Sequence, residues 1–236
     1  MNRYILPLLL AVATVAFVIA PSVTPPFTGY PPDQFPIAIA RPSVQPAGYA
    51  FAIWGLIDAW LILHAGFGLW QRAGEAVWAA SRLPLIGAVA LGSVWLAIAL
   101  AAPITATLVI LLMAALALTA FLSAPTAPDR WMLSAPMAIF AGWLTAAAAV
   151  STGVVLGGYG WLSDTNAALV MQALVLATAI IVQRRRPAMP LYSATVIWAI
   201  LGIVVVNWTA NPIVAYGGII GIAILAATSA TFWRST

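Results

Sequence analysis

Residues 46–66 read PAGYAFAIWGLIDAWLILHAG, an apolar run that carries an aspartate, Asp58, and six positions on the only histidine of the chain, His64. Whether such a run is a soluble core helix or a membrane span depends on its solvent, and composition decides that. Of 236 residues, 64% are hydrophobic and 6% charged, with a mean hydropathy of +1.06. Soluble domains carry about 25% charged residues, so this chain has too few polar side chains to cover a surface facing water. Lipid is the natural solvent, and one integral membrane domain is the expectation.

Several chemistries are excluded by absence. The chain has no cysteine, hence no disulfide frame, thiolate nucleophile, iron–sulfur cluster or thiolate metal site. All nine basic residues are arginine; without lysine there is no retinal Schiff base. One histidine cannot supply paired axial haem ligands. No Gly-rich phosphate loop, GxSxG elbow or HExxH motif is present. The arginines are scattered, so the basic pI is not a nucleic-acid signature.

A span needs about 20 mostly apolar residues. Breaking the chain at charges, prolines and glycines gives eight segments, 4–20, 48–71, 83–102, 104–123, 132–157, 165–183, 189–208 and 212–233. With the N-terminus in the cytoplasm, Arg3, Arg72, Arg82, Arg130, Arg184, Arg185, Arg186 and Arg234 fall inside and only Arg41 outside. That asymmetry follows the positive-inside rule. It predicts an all-α, multi-pass protein with both termini cytoplasmic, and a bacterial inner membrane is the expected location. A signal peptide is the alternative for the first segment, but Pro21 directly after a cut at Ala20 favours a retained helix.

Six tryptophans, Trp70, Trp78, Trp131, Trp161, Trp208 and Trp233, fall near span ends, as interfacial anchors do. The other five, Trp54, Trp60, Trp95, Trp143 and Trp198, lie within spans, where an indole N–H needs an acceptor or a ligand. The long connection 21–47 holds eight of the 17 prolines. Proline at that density blocks regular structure and stiffens the path, leaving two readings: an ordered linker, or a lid over an outward-facing pocket. Gly153 with Gly157, and Gly217 with Gly221, have the spacing that lets helices approach closely. The Arg184–Arg186 run reads as a topology signal that anionic lipid could also meet.

Helical spacing puts Phe51, Trp54, Asp58, Ile62 and Ala65 on one face of the second span. His64 lies about 120° round and about 9 Å further along the axis, so the two ionisable groups are not an acid–base pair. Asp58 sits near the midpoint of 48–71, where a charge costs about 2.5–3.5 kcal/mol. It is expected to face the bundle interior, either as a neutral hydrogen-bonded carboxyl or as a polar contact in a cavity or proton site. His64 is expected as a neutral imidazole near the inner interface.

The stretch PAGYAFAIWGLI resembles the start of the second helix in the TspO/MBR proteins, the tryptophan-rich sensory proteins related to the mitochondrial translocator (peripheral benzodiazepine receptor) protein. Their pattern is proline, phenylalanine, tryptophan, then leucine-tyrosine; Pro46, Phe51 and Trp54 match it, and Asp58 stands where tyrosine is usual. The family's third helix has asparagine three residues before a tryptophan; Trp95 fits, and Gly92 replaces the asparagine. Its fifth helix is met by PMAIFAGWLTAAAAVS, with Pro136, Trp143, Ala146 and Ala147, and Ser151 in an asparagine position. The family core has five helices, so the resemblance covers residues 1–157, including the loop 21–47, with 158–236 as three additional transmembrane helices of a longer variant.

The resemblance implies a membrane-embedded binding, sensory or transport-assisting protein for a hydrophobic ligand such as a tetrapyrrole (porphyrin, haem) or a sterol. It implies a cavity among the first, second, third and fifth helices beneath the first loop. The candidate ligand-binding residues are Pro46, Phe51, Trp54, Asp58, Trp95, Trp143 and Ala147, with no catalytic or metal site. No resident cofactor is expected, only porphyrin or haem as ligand. The expected partners are a hydrophobic small molecule and membrane lipid, not nucleic acid, and a homodimer is compatible with the reading. The alternative is a proton-coupled small-molecule transporter using Asp58, although no internal repeat supports it. An enzyme would have to use Asp58 and His64, whose faces diverge.

Overall fold

The computed structural model describes residues 3–234. Eight α-helices account for the expected spans: α1 (Ile5–Val23), α2 (Ile53–Trp70), α3 (Ala76–Ala101), α4 (Pro103–Ser123), α5 (Ser134–Gly158), α6 (Asp164–Arg185), α7 (Leu191–Ala210) and α8 (Pro212–Arg234). Each, α2 taken together with the 3-10 turns of Gly48–Ala52 before it, is long and apolar enough to cross a bilayer. Among the described residues there is no strand. Local chemistry sets several boundaries. Pro103 and Pro212 each open a helix at a position whose N–H has no intrahelical partner anyway, and Ser163 caps α6 by accepting from the Asn166 N–H at 3.2 Å.

The bundle is built around α5. Every residue from Ser134 to Ala146 is buried, because a helix this rich in alanine and glycine lets neighbours close in on all sides. Helices α2, α4, α6 and α7 pack directly on it, α1 and α3 complete one flank, and α8 closes the other against α6 and α7. Gly153 and Gly157 do serve close packing, though mainly of the 21–47 connection: a Cβ at Gly153 would lie 2.9 Å from Val44, and one at Gly157 3.1 Å from Ile39. Gly217 packs closely on α6, whereas nothing lies within 4 Å of a Cβ at Gly221, so close approach does not explain that glycine.

Two elements differ from expectation. Helix α3 begins at Ala76 rather than 83. Arg82, taken as a break, stays in the helix because its guanidinium reaches back to the carbonyls of Ala73 and Arg72. More consequentially, the first five residues of the second segment, Gly48–Ala52, form a 3-10 helix, and α2 starts only at Ile53.

The approach to that 3-10 helix descends alongside α7. Asn207 Nδ2 donates to the Ser43 carbonyl (2.8 Å), the Ala47 N–H to the Gly202 carbonyl (3.0 Å), and Trp198 Nε1 to the Ala50 carbonyl (2.9 Å). These contacts step down α7 about one turn at a time. Trp198 is the eighth residue of a 20-residue helix, so Ala50 lies near mid-height of a spanning element. Non-helical backbone at such depth requires its polar groups to be satisfied by protein, and α7 does this. Gly202 is required for the approach, since a Cβ there would meet Pro46 at 2.9 Å and Ala50 at 3.0 Å.

The rest of the 21–47 connection lies across the same end of the bundle as an ordered cover. Gln34 Nε2 donates to the Leu100 carbonyl at the end of α3 (2.8 Å), and Ile37 N–H to Gly158 at the end of α5 (2.9 Å). Ser43 binds Asp164 through both its N–H (2.9 Å) and its hydroxyl, while Asn211 reaches Ser43 Oγ (3.0 Å) and Thr165 (2.9 Å).

At the opposite end the loops are tied by arginines. Arg72 pairs with Asp129 (2.8 Å), Arg130 donates to Ala188 (2.9 Å), and Arg186 caps the end of α4 through the carbonyls of Leu122 and Ala124. Burial in that contact lowers the Arg186 pKa. Arg186 is therefore a structural clamp. Trp70, Trp131, Trp161, Trp208 and Trp233 are exposed near helix ends, but Trp78 is 1% exposed and is not an anchor. Its indole N–H donates to Asp129 (2.8 Å) and its ring stacks on His64 at 5.0 Å.

Candidate ligand cavity

Beneath the cover lies a cavity of about 330 Å³. Its roof is the stretch Phe27–Tyr30 with Gln45 and Pro46, and Gly48 and Phe51 of the 3-10 helix close one side. Trp95 of α3 and Ile110 of α4 form a second wall, and α5 supplies the longest, from Trp143 through Ala146 and Ala147 to Val154. Ala199 of α7 completes it. The lining is predominantly apolar with few polar groups, the character of small-molecule sites.

Of the seven residues nominated from sequence, Pro46, Phe51, Trp95, Trp143 and Ala147 line this cavity. Trp54 stands behind the wall, edge-on to Trp143 at 6.1 Å and to Phe17 at 5.8 Å. Asp58 does not line it. The displacement has a physical cause. Phe51 packs edge-on against Trp143 at 5.7 Å at the deep side of the cavity, and Asp58 follows seven residues on, about 10 Å further along. Two residues beyond Asp58, Trp60 Nε1 donates to the Trp131 carbonyl (2.7 Å) in the α4–α5 connection. The carboxyl therefore sits toward the end of the bundle opposite the cover. The buried stripe of α2 is Ile57, Leu61, His64, Ala65 and Gly68, which leaves Asp58 half-buried at its edge. His64 is at that same far end, its Nδ1 donating to the Met132 carbonyl at 2.7 Å.

The chamber also sits differently among the helices than the resemblance implies. Helix α1 contributes no lining residue and α2 proper none, while α4 and α7 each contribute one. Phe17 of α1 is the reason on one side. Its ring packs over Gly92, where a Cβ would lie 2.4 Å away, and edge-on to Phe140 at 5.7 Å. The space an asparagine side chain would occupy is filled by phenylalanine.

Polar groups mark the two ends of the α5 wall. At the deep end, the indole Nε1–H of Trp143 is buried and has no hydrogen-bond partner. Of the other indoles within spans, Trp60, Trp95 and Trp198 donate to the backbone carbonyls of Trp131, Ala106 and Ala50. At the upper end, Tyr30 of the cover meets Ser151 (2.7 Å), and Ser151 meets Thr107 (2.6 Å). Thr107 donates to the Pro103 carbonyl (2.8 Å), so its single proton is committed. Ser151 must then donate to Thr107, and Tyr30 to Ser151. Burial raises the Tyr30 pKa against the opposing pull of these hydroxyls, which keeps the phenol protonated. Ser151 lies eight residues above Trp143, about 12 Å along the helix. Neither this relay nor Gln45, whose amide donates to the Thr28 carbonyl (3.1 Å), was nominated from sequence. The available signal was a hydroxyl near the covered end of each of two largely apolar spans, but Thr105 and Thr152 share that description, so the sequence does not single out the pair.

Among the described residues no group of acidic side chains and histidine could hold a metal ion. Tyr30 Oη is the one lining group with a chemistry suited to iron, and its proton is engaged by Ser151.

A polytopic helical bundle with a covered, indole-walled cavity in its membrane-spanning half defines a class: membrane-embedded ligand-binding or sensory proteins. The chain belongs to the TSPO-like protein family, whose model matches residues 5–231. The match runs through all eight helices, α6 to α8 included. No curated protein and no solved structure matches it.

Proposed function

We propose that this protein binds a flat hydrophobic ligand, a tetrapyrrole or sterol in class, in the cavity beneath residues 21–47, and serves in sensing it or assisting its transport. The observation that carries the reading is the covered, predominantly apolar chamber walled by Phe51, Trp95 and Trp143, with the Tyr30–Ser151 hydroxyl pair at its upper end. Such a wall holds a planar apolar body by stacking on Phe51, Trp95 and Trp143 and orients it through few polar contacts. Lining chemistry favours a metal-free macrocycle or a sterol over iron-ligated haem, because His64 lies at the far end of the bundle. At about 330 Å³ the chamber is at the low end of the range for ligand sites, about 300–1,000 Å³. A porphyrin therefore inserts one edge and leaves the remainder at the mouth. The position of Asp58 away from the cavity gives the proton-coupled alternative no support.

The end of the bundle tied by Arg72, Arg130 and Arg186 is the cytoplasmic one in this proposal, by the positive-inside rule, and the cover faces the periplasm of a bacterial inner membrane. The test is tryptophan-fluorescence titration of the purified protein with protoporphyrin IX and, separately, with a sterol. Saturable quenching that is lost in Trp143→Ala is the expected result; linear, non-saturating quenching that Trp143→Ala leaves unchanged would refute the reading.

A further inference from the structure

Of the cavity's lining residues, those exposed are Thr28, Gly48 and Phe51, and Phe51 is 42% exposed. Their height decides what they are exposed to. The carbonyl of Ala50, which lies between Gly48 and Phe51 in the chain, is bonded to Trp198, the eighth residue of the 20-residue α7. Phe51 packs on Trp143, itself the tenth residue of the 25-residue α5. Both references lie in the middle third of spanning helices, so the outer surface of Gly48 and Phe51 meets acyl chains. The water-facing side of the cavity is closed differently. The cover is fixed to α3, α5 and α6 by hydrogen bonds from Gln34, Ile37, Tyr30 and Ser43, and to α7 by one that the Ser43 carbonyl accepts from Asn207.

We infer that the cavity is entered sideways from the bilayer, through a portal rimmed on one side by Gly48 and Phe51 at mid-membrane depth, and that its ligand is therefore a molecule already dissolved in lipid. This rests on the ligand-binding reading above and specifies its route. Gly48 suits the role because it stands in open space: nothing lies within 4 Å of the position a Cβ would take. A large side chain can therefore be started there without a clash at its Cβ and obstructs the opening. Phe51, 42% exposed and edge-on to Trp143 on its inner side, is the movable leaf.

The absence of cysteine permits a test that needs no ligand. Ala147→Cys places one thiol on the inner wall of the cavity. In proteoliposomes, a bilayer-partitioning pyrene maleimide is expected to label it at least tenfold faster, relative to a free thiol in the same vesicles, than a charged, water-borne methanethiosulfonate does. Adding Gly48→Trp is expected to slow the pyrene reagent about tenfold, while Thr28→Trp leaves it within twofold. Equal or faster labelling by the charged reagent, or a rate indifferent to Gly48→Trp, overturns the portal. In parallel, Gly48→Trp is expected to slow the binding of vesicle-borne protoporphyrin IX about tenfold, and an unchanged rate overturns the portal. Should protoporphyrin fail to bind at all, the ligand class is wrong and the labelling result still decides the route.

Discussion

Tyr30 in the proline-rich cover and Ser151 in the central helix, 121 positions apart, share a 2.7 Å hydrogen bond that joins the roof of the cavity to its longest wall. The bond ends a relay that continues through Thr107 to the Pro103 carbonyl, so it fixes the cover to α4 and α5 together. In Tyr30→Phe the ring contacts with Phe27 and Phe35 remain, and Ser151 keeps Thr107 as its partner, so no buried donor is orphaned. Global stability is expected to fall by only about 0.5–1.5 kcal/mol. Local opening is expected to respond more strongly: amide hydrogen exchange over residues 24–34 rises several-fold while that of 37–47, held by Asp164, Asn207 and Asn211, stays unchanged. Equal acceleration in both halves would show that the cover opens as one piece.

Gly92 and Phe17 make a second coupled pair. With the ring 2.4 Å from where a Cβ would stand, Gly92→Asn forces α1 and α3 apart. Overpacking of this kind costs about 1–3 kcal/mol, and the amide would also be left in an apolar setting. Expected are a lowered melting temperature in Gly92→Asn and its partial recovery in Gly92→Asn with Phe17→Ala, which vacates the space. Equal melting temperatures for the single and double variants would show that Phe17 is not what excludes the asparagine.

Asp58 is expected to be dispensable for ligand binding. Asp58→Asn or Asp58→Leu should leave the affinity for protoporphyrin IX within about twofold, and the leucine variant should insert more readily, since it removes a half-buried acid from a spanning helix. A tenfold loss of affinity in Asp58→Asn would place the carboxyl at the ligand and contradict the geometry. The contrast with Phe51 shows what was legible in the sequence. Hydropathy and arginine placement carried the eight spans, because a bilayer demands long apolar helices and segregates charge. The resemblance to the TspO/MBR helices, carried by Pro46, Phe51, Trp95, Trp143 and Ala147, pointed to most of the wall. The depth of Asp58 was not readable, because five apolar residues in a 3-10 helix look like the first turns of an α-helix, and only the contacts of Ala47 and Ala50 with α7 reveal the descent. Trp78 was misread for a related reason: its place near a helix end suggested lipid, while its burial depends on Asp129, 51 positions away.

Asp129 offers a pH-dependent test at the far end of the bundle. It accepts from Arg72 and from the buried Trp78 indole, and the hydrogen bond from the Arg72 guanidinium holds its carboxyl below the usual carboxylate range. The folded state therefore binds a proton at Asp129 less readily than the unfolded chain does, whose carboxyl titrates near 3.9. The resulting stability is fully present above that value and is lost as the pH falls through the lower folded one. Asp129→Asn cannot titrate, so the difference in melting temperature between wild type and variant is expected to be constant from pH 7 to about 5 and to shrink on acidification below about 4. Asp129→Ala should be worse at neutral pH, since it leaves the Trp78 N–H buried without an acceptor, at a cost of about 1–3 kcal/mol. Trp78→Phe removes that donor, and in its background Asp129→Ala should cost less. A wild-type-minus-variant difference that stays flat down to pH 3 would mean the aspartate gains nothing from Arg72 in the folded protein, and that the loops at this end are held by Arg130 and Arg186 instead.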